Sequence, residues 1–423
     1  MKDNSMILTD VKRYDMIEKP HRQAWYLTPL AWLLSLPVLW KHRLKVNKRG
    51  MKGLKPPYVL LCTHHAFVDF KVTTMAIFPH RANYIVAIDG FIDREKLLRN
   101  VGCVCKRKFT NDILLVRQIE HCIHVNKHIC AIYPEARYSL CGTNAILPES
   151  LGKMCRRLGV PVVVLNMHGD YLSSPVWNLT QRKVRLAADM TQIIRQEEIR
   201  ELPVEEINRR ISSAFQYDEY RYQVDTKQKI ALKTRAEGLH RVLYHCPNCH
   251  TEHEMDSAGA NLFCTHCHKT WMMDEYGRLH AETGKTEFSH IPDWYEFERA
   301  QVRQSLLDGT YHFEDDVIVD ALPNADGYVR LGEGHLVHDQ NGFRLTGNFN
   351  NENFYLEIEP ISLYSLHIEY DYLGKGADCI DLSTLTDTFY IYPKTRKNVV
   401  TKLHFAVEEL YKIIKEKKRQ ESM

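Results

Sequence analysis

No run in this 423-residue chain is long enough and apolar enough to read as an uninterrupted membrane span. The most apolar stretch, residues 24–40, falls short of the ~20 residues a spanning helix needs, and Pro29 and Pro37 interrupt it. Residues 1–23 are polar and mixed in charge, so a secretory signal is not expected there. Charge of one sign is not in excess: 56 Lys and Arg against 53 Asp and Glu leave +3, so local clusters matter more than the global field. No Gly-x-Ser-x-Gly occurs, which leaves no nucleophile elbow for a serine enzyme. Without a signal, the twelve cysteines are expected in a reducing compartment, free or bound to metal.

What is present describes an ordinary folded protein, 44% hydrophobic and 26% charged, long enough for two to four domains. Within 24–40, Trp25, Tyr26, Trp32 and Trp40 are side chains that favour a membrane interface. Residues 41–55 then carry seven Lys and Arg and no acid. Beside an anionic leaflet each such charge contributes about 1 kcal/mol. Residues 1–50 are therefore expected to dock on the cytoplasmic face of a membrane, in a peripheral or monotopic manner. From 58 to about 213, short apolar runs alternate with amphipathic stretches. Strands are expected over 58–62, 83–87, 129–133 and 161–166, and helices over 67–77, 94–100, 113–125 and 149–158. That alternation predicts a layered α/β domain over 51–225, with chemistry at the strand ends.

A basic connector, 226–243, leads into two Cys-x-x-Cys pairs, Cys246 with Cys249 and Cys264 with Cys267, fourteen residues apart. Each pair forms a tight turn that points two sulfurs inward, and two such turns complete a closed tetrahedral site. A structural zinc in a ribbon over 244–280 is expected, with the neighbouring histidines as substitute ligands. The connector lacks the interleaved aromatics of a nucleic-acid platform, so no nucleic acid is expected. Residues 281–423 read as a helix near 293–307, about seven short strands and a closing helix over 400–418. This pattern resembles a pleckstrin-homology-like roll.

The stretch 58–69 ends an apolar run on Thr63, His64 and His65, with Asp69 four residues beyond His65. If the strand ends near Thr63 and a helix follows, His64 sits at the strand tip and Asp69 in the first helical turn, where the dipole favours it. Asp69 then reaches one ring nitrogen of His64 and leaves the other to take a proton from a bound hydroxyl. Downstream come Gly102-Cys-Val-Cys-Lys-Arg-Lys108, Tyr133-Pro-Glu-Ala-Arg-Tyr-Ser139 and Val160-Pro-Val-Val-Val164.

In that order and spacing the four blocks resemble the glycerolipid acyltransferases of the 1-acylglycerol-3-phosphate acyltransferase family, over residues 24–220. The resemblance implies direct acyl transfer from a thioester, carried by coenzyme A or acyl carrier protein, to the glycerol hydroxyl of a lysophospholipid. The acceptor it implies is 1-acyl-sn-glycerol 3-phosphate, giving phosphatidic acid. His64 takes the general base's place and Asp69 that of the orienting acid. Lys106, Arg107 and Lys108 take the place of the phosphate clamp, with a lysine where the family has arginine. Glu135 and Arg137 take the acceptor-pocket places, although Ala136 replaces the family's glycine and Arg137 stands one position early. The competing reading is a non-catalytic binding or regulatory protein, in which the zinc ribbon acts on an acyltransferase-like scaffold.

Overall fold

The computed structural model describes residues 11–349, 352–374 and 376–421. The first ten residues of the expected docking segment and the last two of the chain lie outside them. Two compact units divide the chain. An α/β unit comprises Asp15–Lys106 and Asp112–Ile230; a β-rich unit takes residues 11–14, Arg107–Asn111 and everything from Ala231 onward. Residues 231–243 of the connector, the cysteine-rich segment and the β-rich segment thus cluster together.

In the α/β unit, α1 (Leu27–Lys41) precedes β1 (Lys45–Arg49) and β2 (Val59–Cys62). The helices α2 (Asp69–Ile77), α3 (Glu95–Val101), α4 (Ile113–His124) and α5 (Ser150–Leu158) then alternate with β3 (Ala82–Ala87), β4 (Cys103–Lys106), β5 (Ile129–Ile132) and β6 (Val162–His168). After these come α6 (Asp170–Ser173), β7 (Ala187–Ile194), α7 (Val204–Ala214) and α8 (Glu219–Asp225). The sheet order is β1-β7-β6-β2-β5-β3-β4. Every neighbouring pair is parallel except β6 with β7. Parallel strands need crossovers, which helices supply, and they are covered on both faces.

That burial explains why β2 reads as an unbroken apolar run. Val59, Leu60, Leu61 and Cys62 are all fully buried. At about 2 kcal/mol for each of the three aliphatic side chains, this strand does not depend on the polar residues at its tip. Local signals set the helix ends. Asp112 caps α4 by accepting from Leu114 N and Leu115 N at 2.8 and 3.1 Å, while α3 and α5 stop at Gly102 and Gly159 in the left-handed conformation. Because β2, β5, β3 and β4 run parallel, their C-terminal ends share one edge, which carries His64, Tyr133 and Lys106.

The β-rich unit begins with an antiparallel sheet of β8 (Met255–Ala258), β9 (Asn261–Cys264), β10 (Thr270–Met273) and β11 (Leu279–Ala281). Trp271 of this sheet meets Trp294 of α9 (Ile291–Leu307) edge to face, 5.0 Å between centroids, and both are fully buried. Seven further strands follow: β12 (Phe313–Leu322), β13 (Val329–Asp339), β14 (Gly342–Phe349), β15 (Glu352–Ile358), β16 (His367–Glu369), β17 (Cys379–Ser383) and β18 (Thr388–Pro393). They form one antiparallel sheet in the order β15-β14-β13-β12-β18-β17-β16. The closing helix α10 (Val400–Glu421) packs on α9, where the Arg299 guanidinium donates to Glu408 at 2.6 Å and lies over the Phe405 ring.

Candidate active site and cysteine cluster

His64 stands two residues past the end of β2, and Asp69 opens α2. The Asp69 carboxylate is almost wholly buried, yet it accepts from His65 N at 2.6 Å and from Ala66 N at 3.1 Å. This reach back from the first helical turn satisfies two buried amides of the loop before the helix. The same oxygen, Oδ2, lies 3.0 Å from His64 Nδ1. His64 keeps 24% of its side-chain surface exposed against 1% for Asp69. The pair therefore has a dry, anchored acid and a ring that meets solvent. Tyr133 and Tyr138 pack on that ring, with centroids at 4.5 and 4.3 Å. His65 faces inward, fully buried, its ring 4.4 Å from that of Tyr217.

Glu135 lies beyond β5, on the loop beside β2. Its carboxylate is buried and accepts from His64 N at 3.0 Å, Ala145 N at 2.7 Å and Tyr217 OH at 2.9 Å. Ser139 N in turn donates to His64 O at 2.9 Å. Glu135 thus holds the backbone of His64. Ala136 does enter the left-handed region, with φ +56°. An alanine there costs roughly 1–2 kcal/mol more than in ordinary backbone, so the turn keeps the shape a glycine would give and carries the strain. Arg137 is buried and donates to Tyr138 O at 3.1 Å.

The expected cation cluster divides at its centre. Lys106 ends β4 within the α/β unit, whereas Arg107 and Lys108 belong to the β-rich unit. There Arg107 Nη1 donates to Leu322 O and Thr388 Oγ1 at 2.9 and 3.0 Å, and Nη2 to Pro323 O at 2.9 Å. Lys108 Nζ donates to Asp381 Oδ2 at 3.1 Å, and His367 Nδ1 sits 3.0 Å from the same carboxylate. Burial would raise the Asp381 pKa, but His367 and Lys108 outweigh it and hold the carboxyl low. Both cations are buried, with structural partners. Tyr138 lies inside the Tyr133–Ser139 block and Tyr217 near the end of the expected α/β domain, and no spacing marks either as a partner of the His64 loop.

In the β-rich unit Cys246, Cys249, Cys264 and Cys267 bring their sulfurs within 4.8 Å of one another. Cys246 to Cys267 is 3.8 Å and Cys249 to Cys264 is 3.7 Å. These separations are far from a disulfide bond of about 2 Å. They match the edge of a tetrahedron whose centre lies ~2.3 Å from each sulfur, about 3.8 Å. The two turns are built alike. His250 N donates to Cys246 O and His268 N to Cys264 O, both at 2.9 Å, and both histidines have positive φ. Burial opposes ionisation of Cys249, but hydrogen bonds from Thr251, His266 and Cys246 bring its pKa down to about 5. The donor set fits zinc.

Among known proteins, no family model matches the chain, and no curated protein matches it. One solved structure that is similar is the 1-acyl-sn-glycerophosphate (LPA) acyltransferase PlsC from Thermotoga maritima, at 14% identity and a TM-score of 0.36, over 44% of this chain and 79% of that one.

Proposed function

We propose that the α/β unit is an O-acyltransferase that moves a fatty acyl group from an acyl thioester to a glycerol hydroxyl of a lysophospholipid. The observation that carries this reading is the 3.0 Å contact of His64 Nδ1 with Asp69, between a buried carboxylate and a ring open to solvent. Asp69 keeps the proton on Nδ1, and Nε2 takes the proton of the acceptor hydroxyl as its oxygen attacks the thioester carbonyl. The new C–O bond forms, the C–S bond breaks, and the imidazolium returns the proton to the departing thiolate. The donor is acyl-coenzyme A or an acylated carrier protein. The acceptor, on the four-block resemblance, is 1-acyl-sn-glycerol 3-phosphate. With Arg107 and Lys108 engaged in the β-rich unit, Lys106 is the member of that cluster left on the sheet of His64. It lies three strands from β2, about 14 Å at ~4.8 Å per strand, and so suits a head group better than the reacting hydroxyl.

Among the described residues no helix is long and apolar enough to cross a membrane. The helix α1 instead exposes Leu30, Leu33, Leu34 and Trp40, with Tyr26 at its N-cap, at helical spacing, and Lys45, Lys48 and Arg49 of β1, next in the chain, are exposed. An apolar stripe flanked by cations suits attachment in the plane of an anionic membrane surface, where such substrates reside. In the β-rich unit the four cysteines hold a structural zinc. The first sheet then reads as a zinc ribbon, and the seven strands with α10 as a pleckstrin-homology-like roll.

Purified protein should release free thiol from acyl-coenzyme A only when lysophosphatidic acid is added. His64→Ala should lower kcat by roughly 10²–10⁴-fold with acceptor affinity little changed and thermal unfolding near that of the parent. Retained activity, or loss through unfolding alone, would remove His64 as the base. Leu30→Glu with Leu33→Glu should weaken co-sedimentation with anionic vesicles by more than about tenfold, because two leucines together contribute roughly 3 kcal/mol or more. Undiminished binding would place the membrane contact elsewhere. Metal analysis should give about one zinc per chain, lost in Cys249→Ser together with the fold around it. A parent protein without zinc counts against the site.

A further inference from the structure

Asp170 follows Gly169 just beyond β6, the strand beside β2. Cys62 lies opposite Leu165, and Met167 N donates to Thr63 Oγ1 at 3.0 Å, so this corner is joined to the residue before His64. Gly169 has φ +85°, and a Cβ on it would come within 2.5 Å of Arg185 O, so the turn that delivers Asp170 requires glycine. Asp170 is fully buried, and among the described residues no donor reaches either of its carboxyl oxygens. The charges that act on it are those of Asp69, foremost, and Glu219. Asp69, by contrast, accepts from His65 N and Ala66 N and faces His64 Nδ1. Two ionised carboxylates whose charges act on each other in the interior repel, and a proton on one of them relieves the repulsion. The carboxyl without donors is the one that carries it.

We infer that Asp170 is a neutral carboxylic acid in the folded protein at physiological pH and donates its proton to the Asp69 carboxylate, as the positioning residue behind the His64–Asp69 pair. Burial first, and then the charges of Asp69 and Glu219, push the Asp170 pKa up. Among the described residues the titratable groups that act on it are Asp69 from α2 and Glu219 and Tyr222 from α8. Glu219 itself accepts from Gly169 N at 2.6 Å and faces His168 Nδ1 at 3.3 Å. The His168 ring stacks on Tyr222, and its Nε2 lies 3.8 Å from Asp189. The bond to Asp69 holds that carboxylate in place, so that its charge stays directed at the imidazole. This catalytic consequence rests on the proposed acyltransferase reading; the protonation of Asp170 does not.

The two are tested separately. At neutral pH, the infrared difference spectrum of parent against Asp170→Asn should show the carbonyl stretch of an un-ionised carboxyl in the parent. Its absence overturns the inference whether or not the protein transfers acyl groups. Unfolding supplies the second readout. A carboxyl whose folded pKa is raised contributes stability that is full below its unfolded pKa and is lost as pH rises towards the folded value. The Tm of Asp170→Asn relative to the parent should therefore climb from acid to neutral pH, and a constant gap contradicts the inference. In acyl transfer, Asp170→Ala should lower kcat by about tenfold, the worth of a hydrogen bond to a charged group, with KM unchanged. Asp170→Asn, whose amide still donates, should recover most of that loss. Equal losses in both folded variants contradict the positioning role, and if Asp170→Ala does not fold, the spectrum and the pH dependence of Asp170→Asn decide. A parent that transfers no acyl group refutes the proposed function and leaves both of those readouts intact.

Discussion

A carboxylate with almost no access to water must find donors, and for Asp69 these come from the chain immediately before it. The amides of His65 and Ala66 and the ring of His64 converge on it. Each hydrogen bond to a charged group contributes about 1.5–3 kcal/mol, so the turn between β2 and α2 is held by one acid. Removing that acid would leave two buried amides unpaired and release the imidazole. The remaining parts of the site depend on this turn. Glu135 grips the amide of His64, Ser139 grips its carbonyl, and Tyr133 and Tyr138 flank its ring.

The sheet places these parts together because β2, β5 and β6 run parallel at its centre. Parallel neighbours end on the same edge, so the loops after β2, β5 and β6 meet there. The loops after them bring His64, Glu135 and Asp170 from three separate stretches of sequence. The apolar strands hold this edge in place through burial and their parallel ladders, which lets the polar groups at their tips be arranged for chemistry.

Much of this was legible in the sequence where local physics decides. The apolar runs marked β2, β3, β5 and β6 because fully covered parallel strands have no polar alternation. The Asn, Gly and Asp breaks announced the seven strands of the larger sheet in the β-rich unit, though not their lengths, and the two Cys-x-x-Cys pairs announced their cluster. Long-range geometry was not legible. β1 reads Lys-Val-Asn-Lys-Arg, a solvent-facing edge with no apolar signature, and its pairing with β7 joins residues more than a hundred positions apart. Lys106, Arg107 and Lys108 look like one cationic patch, yet the chain passes from one unit to the other between the first and the second. Arg107 finds carbonyls at Leu322 and Pro323, and Lys108 finds Asp381, partners no local pattern could name. Tyr217 carries no local signal and supports Glu135. Asp170 carries no motif; it matters only because a parallel register sets it beside Asp69.

The central claim is that Asp69 fixes His64 with its proton on Nδ1 and its Nε2 free to act as a base. Nitrogen-15 NMR of the neutral imidazole, with Asp69→Asn as the control that identifies the His64 signal, tests this most directly. The account predicts a protonated Nδ1, hydrogen-bonded to a carboxylate, and an unprotonated Nε2. A neutral ring that carries its proton on Nε2 would contradict it.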